Sequence, residues 1–279
     1  MADIKWVSRR GNTVNEDDAW ASDVAGYVLD GASGLYNLNV TPERSDAMWF
    51  SHSVGRHLKQ YLYSEKTLTE LLHDCCAICM KEYYGFVGEN PICDNALPSA
   101  SVAIYRRMGE YIEFYLLGDC VVVIELHEKA TMRICDETLT LLDKSVVEFM
   151  EKRSKEKGVG LPHVFTDALP LLQKNRNLKN TIGGYWTLDP TGKGVDHGNK
   201  LTLNINDVRS FVLMSDGFYT ALTFPGLYSC TQDFMSALET CSIEEIATNI
   251  HAALEQDAMF IRYPRLKLKD DASAVWYKP

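Results

Sequence analysis

Apolar positions run through this chain in two rhythms, one of period two and one of period near 3.6. Ile4–Val7 and Gly26–Leu29 read as short strands. "TPER" over Thr41–Arg44 has the pattern of a helix start, with threonine as N-cap and proline in the first turn. Phe50, Val54, Leu58, Tyr61 and Leu62 then recur at helical spacing, and a second helix is expected over about 68–84. The middle changes character. "SVAIYRR", "EYIEFYLLG" and "CVVVIELHE" are rich in β-branched and aromatic residues. They are joined only by Arg107–Glu110 and Leu117–Cys120, and connections this short predict antiparallel hairpins. A fourth strand is expected over about 131–135.

From about 138 to 177 the rhythm returns to helix, with Leu142, Val146, Phe149, Met150 and Arg153 on one amphipathic segment. Pro170 interrupts the segment that follows. "IGGYWTLDPTGKGVDHGNKLTL" carries the glycines of turns and loops. Strands are expected over about 201–205 and 209–214, helices over about 232–239 and 243–257, and a closing strand over 272–277. Antiparallel strands in runs, with helices segregated from them, predict an α+β layered fold and not a doubly wound parallel sheet.

Composition narrows the function. Of 279 residues, 46% are hydrophobic, enough for a sizeable core. No Pro/Gly/Ser-rich linker divides the chain, so a single domain over 1–279 is expected. The net charge of −10 disfavours a nucleic-acid partner, because phosphate contacts need clustered Lys and Arg. The dense basic runs, "EKRSKEKG" and "RLKLKD", read as solvated faces. With no signal-peptide-like start and no apolar run of about 20 residues, the protein is expected to be soluble and cytoplasmic, without a membrane partner. Eight cysteines are too few for a disulfide scaffold. Cys76 and Cys79 form C-x-x-C, but Leu68, Leu71, Leu72, Cys75 and Cys79 fall on one helical stripe, which favours packing over metal. All seven histidines are assigned to surface or packing roles, since none has metal-ligand spacing. The oligomeric state is not legible.

The chemistry lies in aspartates that end apolar runs: Asp17 and Asp18 before a short apolar stretch, Asp30 in "YVLDGASGL", Asp119 in a tight turn, Asp216 in "FVLMSDGFYTAL", and Asp270 and Asp271 before the last strand. Any one Asp-Gly is an ordinary turn former. Several carboxylates at strand ends would repel one another if they converged, and Mg²⁺ or Mn²⁺ would relieve that.

In order, "NEDDA", "VLDGASG", "LPSASVAIY", "YLLGDC", "FVLMSDGFY" and "KDDASAVWY" resemble the six motifs of the type 2C metal-dependent protein phosphatases, the PPM family. They span nearly the whole chain. The resemblance implies a four-layer αββα sandwich, with two central antiparallel β-sheets flanked by helices. It implies hydrolysis of phosphoserine and phosphothreonine esters in phosphorylated protein substrates, with two Mn²⁺ or Mg²⁺ ions. Asp30 would bridge both ions and Gly31 would offer its carbonyl. Asp216 and Asp270 would hold one ion, Glu16 and Asp17 the other, and Asp119 with Asp216 a weaker third. Asp30 and Asp216 would carry catalysis through metal-bound water.

The chain also departs from the family. Asn12 stands where an arginine often grips the phosphate, leaving Arg9 or Arg10 as candidate substitutes. Ala32 replaces the histidine of the eukaryotic branch, Ser33 a loop glycine, and Cys120 the serine of G-D-S. Residues 128–200 match the family poorly, in the region of its substrate-shaping flap. These departures keep an alternative open: a phosphatase-fold binding or regulatory module with little catalysis.

Overall fold

The computed structural model of the protein describes residues 2–32, 35, 39–88, 94–128 and 130–279. Ser33, singled out in the D-G loop, lies outside the described residues. The first half runs β1 (Asp3–Arg9), β2 (Asp18–Ala21), β3 (Ala25–Ala32), α1 (Asp46–Tyr61), α2 (Leu68–Val87), β4 (Ser99–Met108), β5 (Tyr111–Leu117), β6 (Val121–Leu126) and β7 (Thr131–Ile134). The second half runs α3 (Thr138–Lys157), α4 (Phe165–Arg176), β8 (Asn199–Asn204), β9 (Val208–Met214), α5 (Asp216–Thr223), α6 (Thr231–Thr240), α7 (Ile243–Gln256) and β10 (Ala272–Lys278).

Two five-stranded sheets result, ordered β1-β10-β9-β6-β7 and β2-β3-β4-β5-β8, and every named pairing is antiparallel. Strand alternation sorts side chains to two faces. Val28, Ala103, Tyr105, Phe211, Leu213, Val275 and Tyr277 fill the core between the sheets. Tyr27, Leu29, Val102 and Ile104 face the other way, against α1 and α2. Val212, Met214, Ala274 and Trp276 pack under α5, α6 and α7. The architecture is therefore the four-layer sandwich expected. A satellite core joins α3 and α4 through Val146, Met150, Val164 and Ala168, and takes in Phe260 from the loop before β10. Among the described residues, no helix is long and apolar enough to cross a membrane.

Four local expectations are corrected. Leu117–Cys120 is not a hairpin turn: the chain leaves one sheet at Leu117 and enters the other at Val121. Gly118, at φ +82°, makes that corner, and a Cβ there would lie 2.1 Å from Ser101 Oγ. Because both strands are apolar on both faces, their pattern cannot separate a hairpin from a change of sheet. Helix α1 starts later than "TPER" suggests. Its N-cap is Ser45, which accepts from Met48 N. The buried Asp46 carboxylate accepts from Val40 N, Thr41 N and Tyr83 Oη and turns the preceding segment back on itself. Tyr61 on the first helical stripe is 39% exposed. Pro170 lies inside α4, where its missing N–H removes a single intrahelical bond while Leu171 and Leu172 pack on the satellite core.

The cysteine stripe is core: Cys75, Cys76 and Cys79 are buried, and burial pushes the Cys75 thiol up to about 12.

Candidate active site and metal centre

The strand-end aspartates meet at one end of the sandwich, where the space between the sheets opens. Asp30 lies two residues beyond Val28 on the inward face of β3, opposite Ser101 of β4. Asp17 precedes β2 with the parity of the inward-facing Ala19 and is 2% exposed. Asp119 occupies the sheet-changing corner, where Ser101 Oγ donates to its Oδ1 at 2.5 Å. Asp216 does not end a strand: it opens α5, one residue after the N-cap Ser215. Its N–H donates to Asp30 Oδ2 at 3.3 Å, tying the two D-G motifs together across the sheets.

Gly31 continues β3 against Ala100, and a Cβ on it would stand 2.2 Å from the Glu16 carbonyl oxygen. That close approach accounts for the glycine. Glu16 is itself fixed through its main chain: its N–H donates to Asp271 Oδ2 at 2.6 Å, and its carbonyl accepts from Ser51 Oγ at 2.5 Å.

The electrostatics follow from this convergence. Burial, then the charges of Asp271, Asp270 and Asp216, push Asp17 well above the carboxylate range. Burial, then Asp17, Asp216, Asp119 and Asp270, do the same to Asp30. Asp216 is raised by loss of water and by Asp270 and Asp119. For Asp119, burial outweighs the opposing hydrogen bond from Ser101. Among the described residues, nothing donates to the buried Asp17 Oδ2. A buried, unpartnered carboxylate oxygen among like charges is costly by itself and suits a hard divalent cation. Among the described residues, no three His, Cys, Asp or Glu side chains are grouped so as to hold a metal ion as they stand. The donor set fits the ion in kind.

The two aspartates before β10 divide their work. Asp271 is buried and accepts from Gly11 N at 2.7 Å and Glu16 N at 2.6 Å, locking the turn after β1 to β10. Asp270 faces a cavity of about 440 Å³ lined also by Asp119, Asp143, Asp216, Tyr219 and Lys267. Arg9 and Arg10 are directed elsewhere. Arg9 Nε donates to His251 Nδ1 at 3.3 Å on the α7 side, and Arg10 Nη1 lies 3.5 Å from the Thr13 carbonyl. Asn12 Nδ2 donates to the Lys269 carbonyl at 2.8 Å, bracing the loop before Asp270.

Three contributors were not read from the sequence. His251, assigned to packing, has Nε2 3.0 Å from the Asp270 carbonyl. With Arg9 donating to Nδ1, Nε2 carries the proton and holds the Asp270 main chain. Asp143, on α3, is pushed up to about 7 by burial and then by Asp119. Lys267, placed on a solvated face, has Nζ 2.5 Å from Asp270 Oδ2. No motif carried these residues, because helix packing and a loop path bring them in. Ser215 and Cys120 are not free nucleophiles. Ser215 Oγ accepts from Ser273 N at 2.9 Å, and burial beside Asp30 and Asp119 pushes the Cys120 thiol far up.

The model of the family described as protein phosphatase 2C matches residues 8–255. No curated protein matches at a significant level. Solved structures share the fold. The serine/threonine phosphatase Stp1 from Staphylococcus aureus is 12% identical with TM-score 0.55, covering 100% of this chain and 95% of that one. PppA, a regulatory component of a secretion system in Pseudomonas aeruginosa, is 12% identical with TM-score 0.57, at 99% and 97% coverage. The catalytic domain of the serine/threonine protein phosphatase PstP, in complex with two manganese ions, is 16% identical with TM-score 0.54, at 99% and 97% coverage.

Proposed function

The chain belongs to the protein phosphatase 2C family, and from that premise we propose that it is an active metal-dependent phosphatase of phosphoserine and phosphothreonine in proteins. One observation carries the reading: the four aspartates Asp17, Asp30, Asp119 and Asp216, drawn from distant parts of the chain, converge at one end of the sandwich, where burial and then neighbouring carboxylates of the same cluster, Asp270 among them, raise each carboxyl. Mn²⁺ or Mg²⁺ suits these oxygen donors, and the PstP structure holds two manganese ions.

In this reading Asp30 and the Gly31 carbonyl, with Asp216 and Asp270 on one side and Glu16 and Asp17 on the other, would hold two divalent ions, and Asp119 with Asp216 a weaker third. When bound, the ions would offset the charge of the phosphate and supply an activated water. The chain's own residues supply the frame. Asp271 and His251 fix the main chain around Asp270 and Glu16. Ser101 orients Asp119. With Ser215 and Cys120 both committed to packing, hydrolysis proceeds without a covalent protein nucleophile. Residues 128–200 supply α3, whose Thr140, Asp143, Lys144 and Val147 line the cavity, and we assign substrate choice to that wall.

The test is hydrolysis of p-nitrophenyl phosphate and of a phosphothreonine peptide in Mn²⁺, Mg²⁺ and EDTA, beside Asp216→Asn. Turnover that needs metal and is lost in the variant supports the reading. Ion binding by calorimetry with no turnover in any metal would replace it with a phosphoprotein-binding module.

A further inference from the structure

We propose that Lys267 is the cation that receives the phosphoryl oxygens of the substrate in this cavity. The inference rests on the phosphatase reading and adds a residue to it.

The need is one of charge. A phosphomonoester carries up to about two negative charges at neutral pH. It must approach Asp17, Asp30, Asp119, Asp216 and Asp270, and even the proposed site's full set of divalent ions leaves these carboxylates and the ester with net negative charge. A protein cation at the mouth would offset it, and the candidate arginines near Asn12 are turned away.

Among the described residues, the cavity wall offers five cations. Arg133 is held by Glu137 and donates to Tyr219 Oη. Arg265 is spent on the Asp257 carboxylate and on four carbonyls. Lys269 is paired with Glu255. Lys144 stands exposed on α3. Lys267 alone of the five has an acid of the cluster as its ion-pair partner, Asp270 at 2.5 Å. Its side chain is 56% exposed, so the ammonium bridges solvent and site.

The loop that carries Lys267 is built to hold it there. Asp257, just past α7, accepts from Ile261 N, Arg262 N and Tyr263 N, and Arg265 donates to it at 2.8 Å. The Arg265 guanidinium lies 4.1 Å from the Phe260 ring centre, and Phe260 and Leu266 are anchored in the α3–α4 core. Two residues beyond this clamp, a flexible four-carbon stem delivers a charge that can pass from Asp270 to an incoming anion.

The experiment compares the full-length protein with Lys267→Met and Lys267→Arg. It measures kcat and KM on p-nitrophenyl phosphate, competitive inhibition by inorganic phosphate, and Mn²⁺ binding by calorimetry without substrate. The expected result for Lys267→Met is a rise of about tenfold or more in both KM and the phosphate inhibition constant. Mn²⁺ binding should hold within about twofold, and Lys267→Arg should recover most of the loss. Unchanged KM and phosphate inhibition in Lys267→Met would overturn the proposal. So would tighter Mn²⁺ binding with KM unmoved, which would make Lys267 a tethered counter-ion of Asp270. If the wild type hydrolyses nothing, the phosphatase reading fails separately. Calorimetric binding of inorganic phosphate to the Mn²⁺-loaded wild type and Lys267→Met then decides for or against Lys267 alone.

Discussion

Asp257 and Asp17 are both buried carboxylates, and their surroundings treat them in opposite ways. Asp257 accepts three main-chain N–H bonds and a guanidinium, which overcome burial and hold its carboxyl below the usual range. Asp17 has like charges around it and, among the described residues, one oxygen with no partner, so burial and repulsion outweigh a hydrogen bond from Ser273 and push it up. The first site is satisfied within the chain. The second, in the proposed reading, is completed by a cation from outside. A buried charge with all its donors present marks structure, whereas one left in want of a partner marks a binding site.

The contrast breaks most sharply in activity. Asp216→Asn removes a proposed ligand and should lower turnover about a thousandfold or more, a loss of about 4 kcal/mol in transition-state stabilisation, with the fold retained by circular dichroism. Wild-type rates from that variant would end the metal reading.

The next effect belongs to the clamp. Asp257→Asn leaves Arg265 buried without its charge partner and should destabilise the protein by about 3 kcal/mol in urea unfolding. The clamp should also be acid-sensitive. The folded carboxyl titrates below its ordinary value of 3.8, so its stabilisation is present above that pH and is lost as pH falls through the folded value. The wild type should therefore lose more stability between pH 5 and pH 3 than Asp257→Asn does, with those pH values about one unit either side of the ordinary carboxylate value. Equal losses would remove Asp257 from the account.

Mn²⁺ comes third. An ion bound only by the folded state should stabilise it by about 2.7 kcal/mol at a hundred times its dissociation constant. That gain should appear as a higher Tm in the wild type, shrink in Asp216→Asn, and persist in Asp257→Asn. A gain equal in all three proteins would show the ion binding elsewhere.

Much of this was legible in the sequence. Strand ends gave Asp30 and the run before β10 because an apolar stretch followed by an acid is local information. The cysteine stripe on α2 was likewise a local period, and it packs as expected. What was hidden depends on contacts between distant segments. The Leu117–Cys120 corner looks like a hairpin until the partner of each strand is known. Asp216 follows an apolar strand, yet Ser215 and the following residues open a helix in place of a turn. The two D-G dipeptides therefore have different backbones and deliver the same carboxylate. His251 reaches Asp270 only because α7 packs along β1, and Lys267 reaches it only because Arg265 folds the loop. A basic run of alternating Leu and Lys looks like a solvated face when its anchors lie elsewhere in the chain.

The smallest effect isolates the comparison itself. Asp17→Asn, measured in EDTA, keeps the shape of the side chain and deletes one charge from the cluster. Near neutral pH it relieves repulsion from Asp271, Asp270 and Asp216. It should raise stability by about 1 kcal/mol, while Asp257→Asn, the same chemical change, lowers it. Activity should move the other way, with Asp17→Asn losing turnover in Mn²⁺, as expected of a site that holds unfavourable charge for function. The decisive reading is the sign of the two shifts in urea midpoint under identical buffer. Opposite signs mean the carboxylates differ in whether the chain alone satisfies them. Two destabilisations would mean that the protein's own support of Asp17, the Ser273 hydrogen bond included, outweighs the repulsion, and that the cluster is structural.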